Sequence, residues 1–193
     1  MARPKEFNPE AAMREAMEAF WERGYHGTSI NDLLAEMGLN RGSMYGTFGD
    51  KKHLFLAALA EYEKQSRDVM EQTLAQPGSA RKAIEQWAMT AVTMCSGEAG
   101  LRGCLGIKAA MEMAAHDKDV ADWVRTITKA RDQLVAKAIR RGQEAEGINP
   151  KLDARVVARA LNASLAGLKV LGTAGPTEKE VREVIAMMLR MLD

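Results

Sequence analysis

The sequence has few cysteines and no long apolar run. Its two cysteines, Cys95 and Cys104, are too few for a disulfide-stapled scaffold, and in a reducing compartment we expect both to be thiols. No stretch approaches the roughly 20 apolar residues that cross a bilayer, and the first residues lack the apolar segment of a signal peptide. We therefore expect a cytoplasmic protein without a membrane partner.

The chain also has no excess of either charge. It carries 27 lysines and arginines against 26 aspartates and glutamates, so any affinity for DNA must come from a local patch. The three histidines, His26, His53 and His116, are scattered and form no cluster with a cysteine at ligand spacing. We expect no metal site and no cofactor.

Apolar residues recur at intervals of three and four along almost the whole chain, which is typical of amphipathic helices. This spacing predicts an all-α fold of about nine helices without strands. Four helices fill the first third, and the first of them follows the capping pair Asn8-Pro9. The remaining five are predicted over roughly residues 80–96, 104–115, 117–146, 151–172 and 177–192, with a glycine-bearing loop over 96–103.

Residues 25–55 carry the motif that points to a function. A short apolar helix ends at Gly38, and a second short helix with small polar residues on one face follows over Arg41 to about Thr47. This pattern indicates a helix-turn-helix. Lys51 opens the next helix, where it and adjacent backbone amides could hold a phosphate. The alternative is a generic three-helix subdomain of an all-helical protein.

The same segment resembles the DNA-binding domain of TetR-family repressors over about residues 8–60. The shared positions are Gly24, Tyr25, Thr28, Ser29, Gly38, Gly42, Tyr45, Phe48 and Lys51, and the sequence departs from the family pattern at Leu33-Leu34, Leu39-Asn40 and Gly46-Thr47. The resemblance implies a homodimer that binds a palindromic double-stranded DNA operator. It implies DNA contacts by Thr28, Arg41, Gly42, Ser43, Tyr45, Thr47 and Lys51. Arg3 and Lys5 could add phosphate contacts.

We place a helix-turn-helix DNA-binding domain at residues 1–50 and a ligand-sensing and dimerisation domain at residues 51–193. The last two predicted helices carry an apolar stripe and a face of small residues. The stripe comprises Val181, Val184, Ile185, Met188, Leu189 and Leu192, and the small face comprises Ala160, Ala163, Ser164, Ala166 and Gly167. TetR-like proteins dimerise through their last two helices, so the resemblance implies dimerisation here. The alternative is that both faces pack internally.

A methionine-rich and aromatic set lies between the two ends of the chain. It comprises Trp87, Met89, Met94, Met111, Met113 and Trp123. These residues could line an adaptable cavity for a small-molecule effector, with Trp87, Met111 and Trp123 as the candidates. They could equally be plain core.

Cys104 lies where a glycine loop becomes a helix, so that backbone amides, Arg102 and Lys108 could favour its thiolate. The pattern Gly-Cys-Leu-x-x-Lys-x-x-x-Glu over 103–112 is similar to that of TetR-family repressors that sense electrophiles and hypochlorite. Lys169 falls where that subfamily has a lysine able to bond with the oxidised cysteine. The resemblance implies a thiol sensor. Two alternatives to a sensor remain: Cys104 is a buried residue that only packs in the core, or it forms a disulfide with Cys95.

These observations together predict a repressor that leaves its operator when a small molecule or electrophile binds or when a cysteine is modified. Catalysis is not required, and no histidine lies near either cysteine in the sequence. The alternatives are a thiol-dependent enzyme and a helical protein-interaction adaptor that does not bind DNA.

Overall fold

The computed structural model describes residues 7–145 and 147–193, and in these ranges the chain folds into helices alone. The helices are α1 (Pro9–Arg23), α2 (Ile30–Met37), α3 (Arg41–Phe48), α4 (Lys51–Leu74), α5 (Ala80–Cys95), α6 (Gly97–Arg102), α7 (Leu105–Met113), α8 (Lys118–Glu144), α9 (Ala154–Gly172) and α10 (Glu178–Leu189), followed by a 3-10 turn (Arg190–Leu192). The all-α prediction is confirmed. Arg3 and Lys5 lie outside the described residues.

Polar side chains begin the helices of the N-terminal third. The Asn8 side chain accepts hydrogen bonds from the amides of residues 10 and 11, as its position before Pro9 predicts. Ser29 and Asp32 form a reciprocal capping box at the start of α2, and the Asn40 side chain accepts from the amide of Ser43 at the start of α3. The short helices are thus specified locally.

Among the helices of the described ranges, only α6 was not predicted from the sequence. Its glycines suggested a loop, but a Cβ at Gly100 would lie 2.6 Å from the backbone carbon of Cys95. Gly100 therefore allows α6 to pack closely on the end of α5. Gly97, the first residue of this short helix, and Gly103, which follows its last residue, have positive φ angles.

The core divides into two clusters. The first joins α1, α2, α3 and the first half of α4 to α7 and the start of α8, with Phe20, Leu33 and Phe55 at its centre. The second joins the end of α4 to α5, α9, α10 and the second half of α8. Cys104 belongs to the first cluster and Cys95 to the second, so the boundary between them passes between the two thiols.

In the described ranges, no helix combines the length and the apolar composition that a membrane span needs.

Candidate DNA-reading surface and thiol site

Helix α3 presents one face to the interior and the other to solvent. Met44 is fully buried, whereas Tyr45 is 43% exposed and Arg41 and Gly42 are exposed as well. Ser43 and Thr47 are half-buried. The predicted contact residues of α3 therefore lie together along the edge and outer face of one eight-residue helix. A helix exposed in this way can enter the major groove of DNA.

Arg41 is held in place before any DNA is bound. Its Nη2 donates a hydrogen bond to Asn31 Oδ1 over 2.9 Å, which joins the start of α3 to α2 across the turn. Gly38 makes that turn possible, because its φ of 63° lies in the left-handed region that favours glycine.

Lys51 and Lys52 are neighbours with different surroundings. The Lys51 ammonium lies 4.2 Å from the centre of the Tyr25 ring, and partial burial lowers the pKa of Lys51 against the opposing charges of Glu112 and Asp32. Lys52 instead forms ion pairs with Asp117 at 2.8 Å and Asp119 at 2.7 Å, at the start of α8. The charge of Lys52 is therefore used within the protein.

Thr28 requires a correction. The resemblance implied a contact with DNA, but the side chain is 0% exposed and its hydroxyl donates a hydrogen bond to the carbonyl oxygen of Gly24 over 2.7 Å. The same hydroxyl lies 3.3 Å from the carbonyl oxygen of Ala19. Thr28 therefore holds the α1–α2 connection together, and its hydroxyl cannot reach a phosphate in this conformation.

The thiol of Cys104 is buried, with 7% of the residue exposed, and lies among polar groups from three other helices. The Tyr62 hydroxyl on α4 donates a hydrogen bond to Sγ over 3.4 Å. Burial alone would raise the pKa of the Cys104 thiol, but the charge of Lys169, this hydrogen bond, the Ile107 amide and the charge of Arg131 together hold the pKa below its usual value. The site therefore favours the thiolate.

Cys95 contrasts with Cys104. It is fully buried, and burial raises the pKa of its thiol despite the charge of Lys169. The two thiols therefore differ in opposite directions from an ordinary cysteine: the pKa of Cys104 is lowered and that of Cys95 is raised.

The cations that act on Cys104 are not all the expected ones. We expected Arg102 and Lys108 to favour the thiolate, but both are directed at α1. The guanidinium of Arg102 lies 3.9 Å from the centre of the Trp21 ring and pairs with Glu18. The family resemblance had pointed to Lys169, whereas no motif in the sequence pointed to Arg131 or Tyr62.

Residues close to Cys104 in the sequence form hydrogen bonds with the end of α1. Trp21 Nε1 donates to the carbonyl oxygen of Gly103 over 2.9 Å, and Lys108 Nζ donates to the carbonyl oxygens of Trp21 over 2.7 Å and Glu22 over 3.0 Å. The His26 amide donates to Glu112 Oε2 over 3.0 Å. We call this set the α1 clasp; it comprises Arg102, Gly103, Lys108 and Glu112, with their partners over residues 18–26. It connects the thiol segment to the end of α1, the helix that packs against α2 of the helix-turn-helix.

The expected effector residues are not brought together. Trp87 is buried in the second core cluster, Trp123 packs at the edge of the first, and Met111 is 74% exposed on the outer face of α7. A groove of about 820 Å³ between α8 and α9 and another of about 670 Å³ between α4 and α8 are lined by other residues. The three residues therefore do not form a common cavity.

The apolar stripe on α10 is mostly interior. Val181, Ile185, Met188 and Leu192 are buried in the second core cluster, whereas Val184 remains exposed. The exposed apolar and small residues of the last two helices form what we call the α9/α10 face: Val156, Ala163, Ala166, Gly167, Val170, Leu171, Val184 and Met187. Most residues of the predicted α10 stripe thus belong to the core, and the exposed large apolar residues of α10 are Val184 and Met187.

Among the described residues, no group of three or more histidine, cysteine, aspartate or glutamate side chains is arranged to hold a metal ion.

Two family models match the chain. Residues 12–58 match the model of bacterial regulatory proteins of the tetR family, and residues 94–188 match the tetracyclin repressor-like C-terminal domain. Together they cover well over half of the 193 residues. The chain belongs to the TetR family.

Relatives of this TetR-family protein are transcriptional regulators. It is 29% identical over 194 residues to YezE of Bacillus subtilis (strain 168), an HTH-type transcriptional regulator, with 100% of both chains covered. It is 23% identical over 190 residues to the HTH-type transcriptional repressor ComR of Escherichia coli (strain K12). This alignment covers 98% of this chain and 90% of ComR.

Solved structures agree with this assignment. A cysteine mutant of the TetR-family regulator CifR, complexed with 26-base-pair operator DNA, matches with a TM-score of 0.88 and 27% identity over 100% of both chains. Reduced Escherichia coli NemR shares the fold, with a TM-score of 0.80 and 17% identity over 95% of this chain and 97% of NemR. This TetR-family protein is a DNA-binding transcriptional regulator.

Proposed function

We propose that this protein is a dimeric repressor that binds a palindromic operator through α3 and leaves it when Cys104 is modified. The observation that carries the proposal is the α1 clasp, because it joins the segment of a thiolate-favouring cysteine to the helix on which the reading head is built. A change at the thiol can then bias the position of the reading head.

The DNA contacts that we propose are those of α3 together with Lys51. Arg41, Gly42, Ser43, Tyr45 and Thr47 supply an outward surface of small, polar and aromatic groups suited to phosphates and base edges. The CifR relative binds operator DNA as a complex of known structure, which supports the same use here. Thr28 takes part only by holding the α1–α2 connection.

The dimer that we propose forms through the α9/α10 face. Exposed apolar residues such as Leu171 and Met187 are unfavourable in water, and the small residues Ala163 and Gly167 permit close helix packing. A twofold pairing of this face would present two reading heads, as a palindromic site requires.

Release follows from the chemistry of Cys104. Its thiolate sulfur attacks an electrophile, and the added group has little room in a site that leaves the residue 7% exposed. With hypochlorous acid, the sulfur takes the chlorine and hydroxide leaves, and the Lys169 ammonium gives a proton to that hydroxide. The resulting amine can then displace chloride and lose a second proton to water, which forms a sulfur–nitrogen bond. Either product removes the thiolate that Tyr62 and Lys169 stabilise.

The test uses purified protein, genomic DNA fragments and N-ethylmaleimide. The thiolate adds to the maleimide double bond and the neighbouring carbon takes a proton from water. We expect unmodified protein to retain a palindromic fragment and modified protein to release it. Cys95→Ser leaves only Cys104 and should still respond, whereas the matched variant Cys104→Ser should not.

Three outcomes would each contradict a different part of the proposal. Unchanged operator binding after confirmed modification of Cys104 contradicts the thiol switch, and retention of no specific fragment contradicts the repressor assignment. A monomer in sedimentation at operator-binding concentrations contradicts the proposed dimer.

A further inference from the structure

Tyr62 is the polar residue that joins the thiol to α4. Its hydroxyl donates to Cys104 Sγ over 3.4 Å, and both residues are buried. The hydroxyl keeps its proton, because burial and the neighbouring thiolate raise the pKa of Tyr62. It is therefore a permanent donor to the sulfur and can stabilise the thiolate more than the thiol.

Tyr62 is itself held from two sides. The Trp21 ring packs edge-on with its centre 4.9 Å from that of Tyr62, and Trp21 is one of the residues bound in the α1 clasp. The next residue, Glu63, pairs with Arg131 of α8 through bonds of 3.1 and 2.5 Å, and Arg131 also bonds to Ser66 over 3.1 Å. One turn of α4 thus binds both the thiol and Arg131, one of the two cations that favour ionisation of the thiol.

We infer that Tyr62 is a positioning residue that activates Cys104 and transmits modification of its sulfur to α4. The first half concerns the thiol alone. The second half rests on the proposed function, because it requires that modification releases DNA.

Helix α4 is suited to transmission. It begins at Lys51, directly after α3 and its C-terminal Gly49, and continues past Tyr62 to Leu74. Tyr62 lies eleven residues beyond Lys51, about 17 Å along a straight helix. Because the sulfur and the hydroxyl are in contact and buried, a group added to the sulfur must displace Tyr62 or its neighbours. The displacement moves a helix that carries Lys51 at its other end.

The first experiment measures the rate at which iodoacetamide alkylates Cys104 as a function of pH. The sulfur–carbon bond forms as iodide leaves, and the Cys95→Ser background restricts the reaction to one thiol. Loss of a hydrogen bond to a charged group should lower the acid dissociation constant of Cys104 about tenfold in Tyr62→Phe. The less stabilised thiolate is more nucleophilic, so the net rate well below the midpoint should fall about threefold and the plateau at high pH should rise about threefold.

The sign of these changes separates activation from loosened packing. If Tyr62→Phe only loosened the core, alkylation would become faster at every pH and the midpoint would not rise. Tyr25→Phe is the matched control: Tyr25 packs on Phe20 and Phe55 and should leave the profile unchanged. An unchanged profile in Tyr62→Phe overturns the inference.

The second experiment measures operator affinity after complete alkylation at high pH. The alkylated Tyr62→Phe variant should retain more operator affinity than the alkylated parent, because the contact that transmits the displacement is gone. Equal loss in both overturns transmission through Tyr62. If alkylation of the parent leaves affinity unchanged, the thiol switch fails, while the pH profile still decides the activating role of Tyr62.

Discussion

The reading surface and the thiol site of this TetR-family regulator are assembled in different ways. The outer face of α3 comes from eight consecutive residues, between two caps that are themselves encoded next to it. The thiol site combines Tyr62, Cys104, Arg131 and Lys169 from or beside four different helices. A surface built from one short segment can change its contacts without affecting the fold, whereas a site shared among helices couples its chemistry to their packing.

The largest expected effect tests the interior side of α3. Met44→Ala removes a fully buried side chain and should lower the free energy of unfolding by about 3 kcal/mol, because it leaves a cavity in the first core cluster. Thermal and urea unfolding measure the loss. The neighbour Tyr45→Ala is the control and should change stability by less than about 0.5 kcal/mol. Similar losses in both variants would contradict the inward and outward faces of α3.

The second prediction concerns the outer side of the same helix. Arg41→Ala should weaken operator binding by about 1 to 3 kcal/mol with little change in stability, since Arg41 is exposed and, among the described residues, its side chain bonds to Asn31 alone. Fluorescence anisotropy with labelled operator measures it. Asn31→Ala should have a smaller effect, because it removes only the preorganisation of Arg41. A variant Arg41→Ala with full affinity would remove this residue from the reading surface.

The third prediction uses the contrast between two adjacent lysines. Lys51→Ala should reduce the slope of log affinity against log salt by about one, because a phosphate contact releases one condensed counterion. Lys52→Ala should leave that slope nearly unchanged, since its ammonium is already paired with Asp117 and Asp119. Titrations at several salt concentrations compare them, and the reverse ranking would place Lys52 at the DNA instead.

The fourth prediction tests the α1 clasp that joins the two regions. Lys108→Met should lower the free energy of unfolding by about 1 kcal/mol, because the carbonyl oxygens of Trp21 and Glu22 lose their donor. It should also reduce the loss of operator affinity on Cys104 modification. Lys64→Met, on an exposed part of α4, is the control. If Cys104 modification weakens operator binding as much in Lys108→Met as in the parent, Lys108 does not transmit the signal.

The smallest expected effect depends on pH. The hydrogen bond from Lys52 holds the pKa of Asp117 below its usual value, so the carboxylate stabilises the fold above its unfolded-state pKa of about 4 and loses that contribution as pH falls through the lower folded-state value. Asp117→Asn should therefore flatten the acid side of the stability profile slightly. Thermal melting between pH 2 and about 7 measures this. An equally steep decline would assign the acid sensitivity to other groups.

Local sequence information predicted the helices well where their ends carry their own signals. Asn8 and Asn40 cap α1 and α3 as expected, and Met44 faces inward. The glycines of α6 misled the prediction, because the need for Gly100 comes from the nearby backbone of Cys95 and not from flexibility. The domain boundary after residue 50 stays a prediction, although the first core cluster extends along α4 beyond it.

The candidate sites show the same limit. An apolar stripe is required both for a core and for an association surface, so the pattern on α10 could not reveal that Ile185 is buried and Met187 exposed. Trp87 and Met111 were likewise grouped by residue type, but packing separates them.

The sequence by itself determined the helix-turn-helix and every helix except α6, because periodicity, caps and turn glycines act over a few residues. The DNA contacts of α3 stay a prediction. Only the tertiary structure decided that Tyr62 bonds to Cys104 and that the charge of Arg131 acts on it. It also decided that Arg102 and Lys108 bind α1 and that Thr28 is buried. These contacts depend on how helices far apart in the sequence pack, which local patterns do not encode.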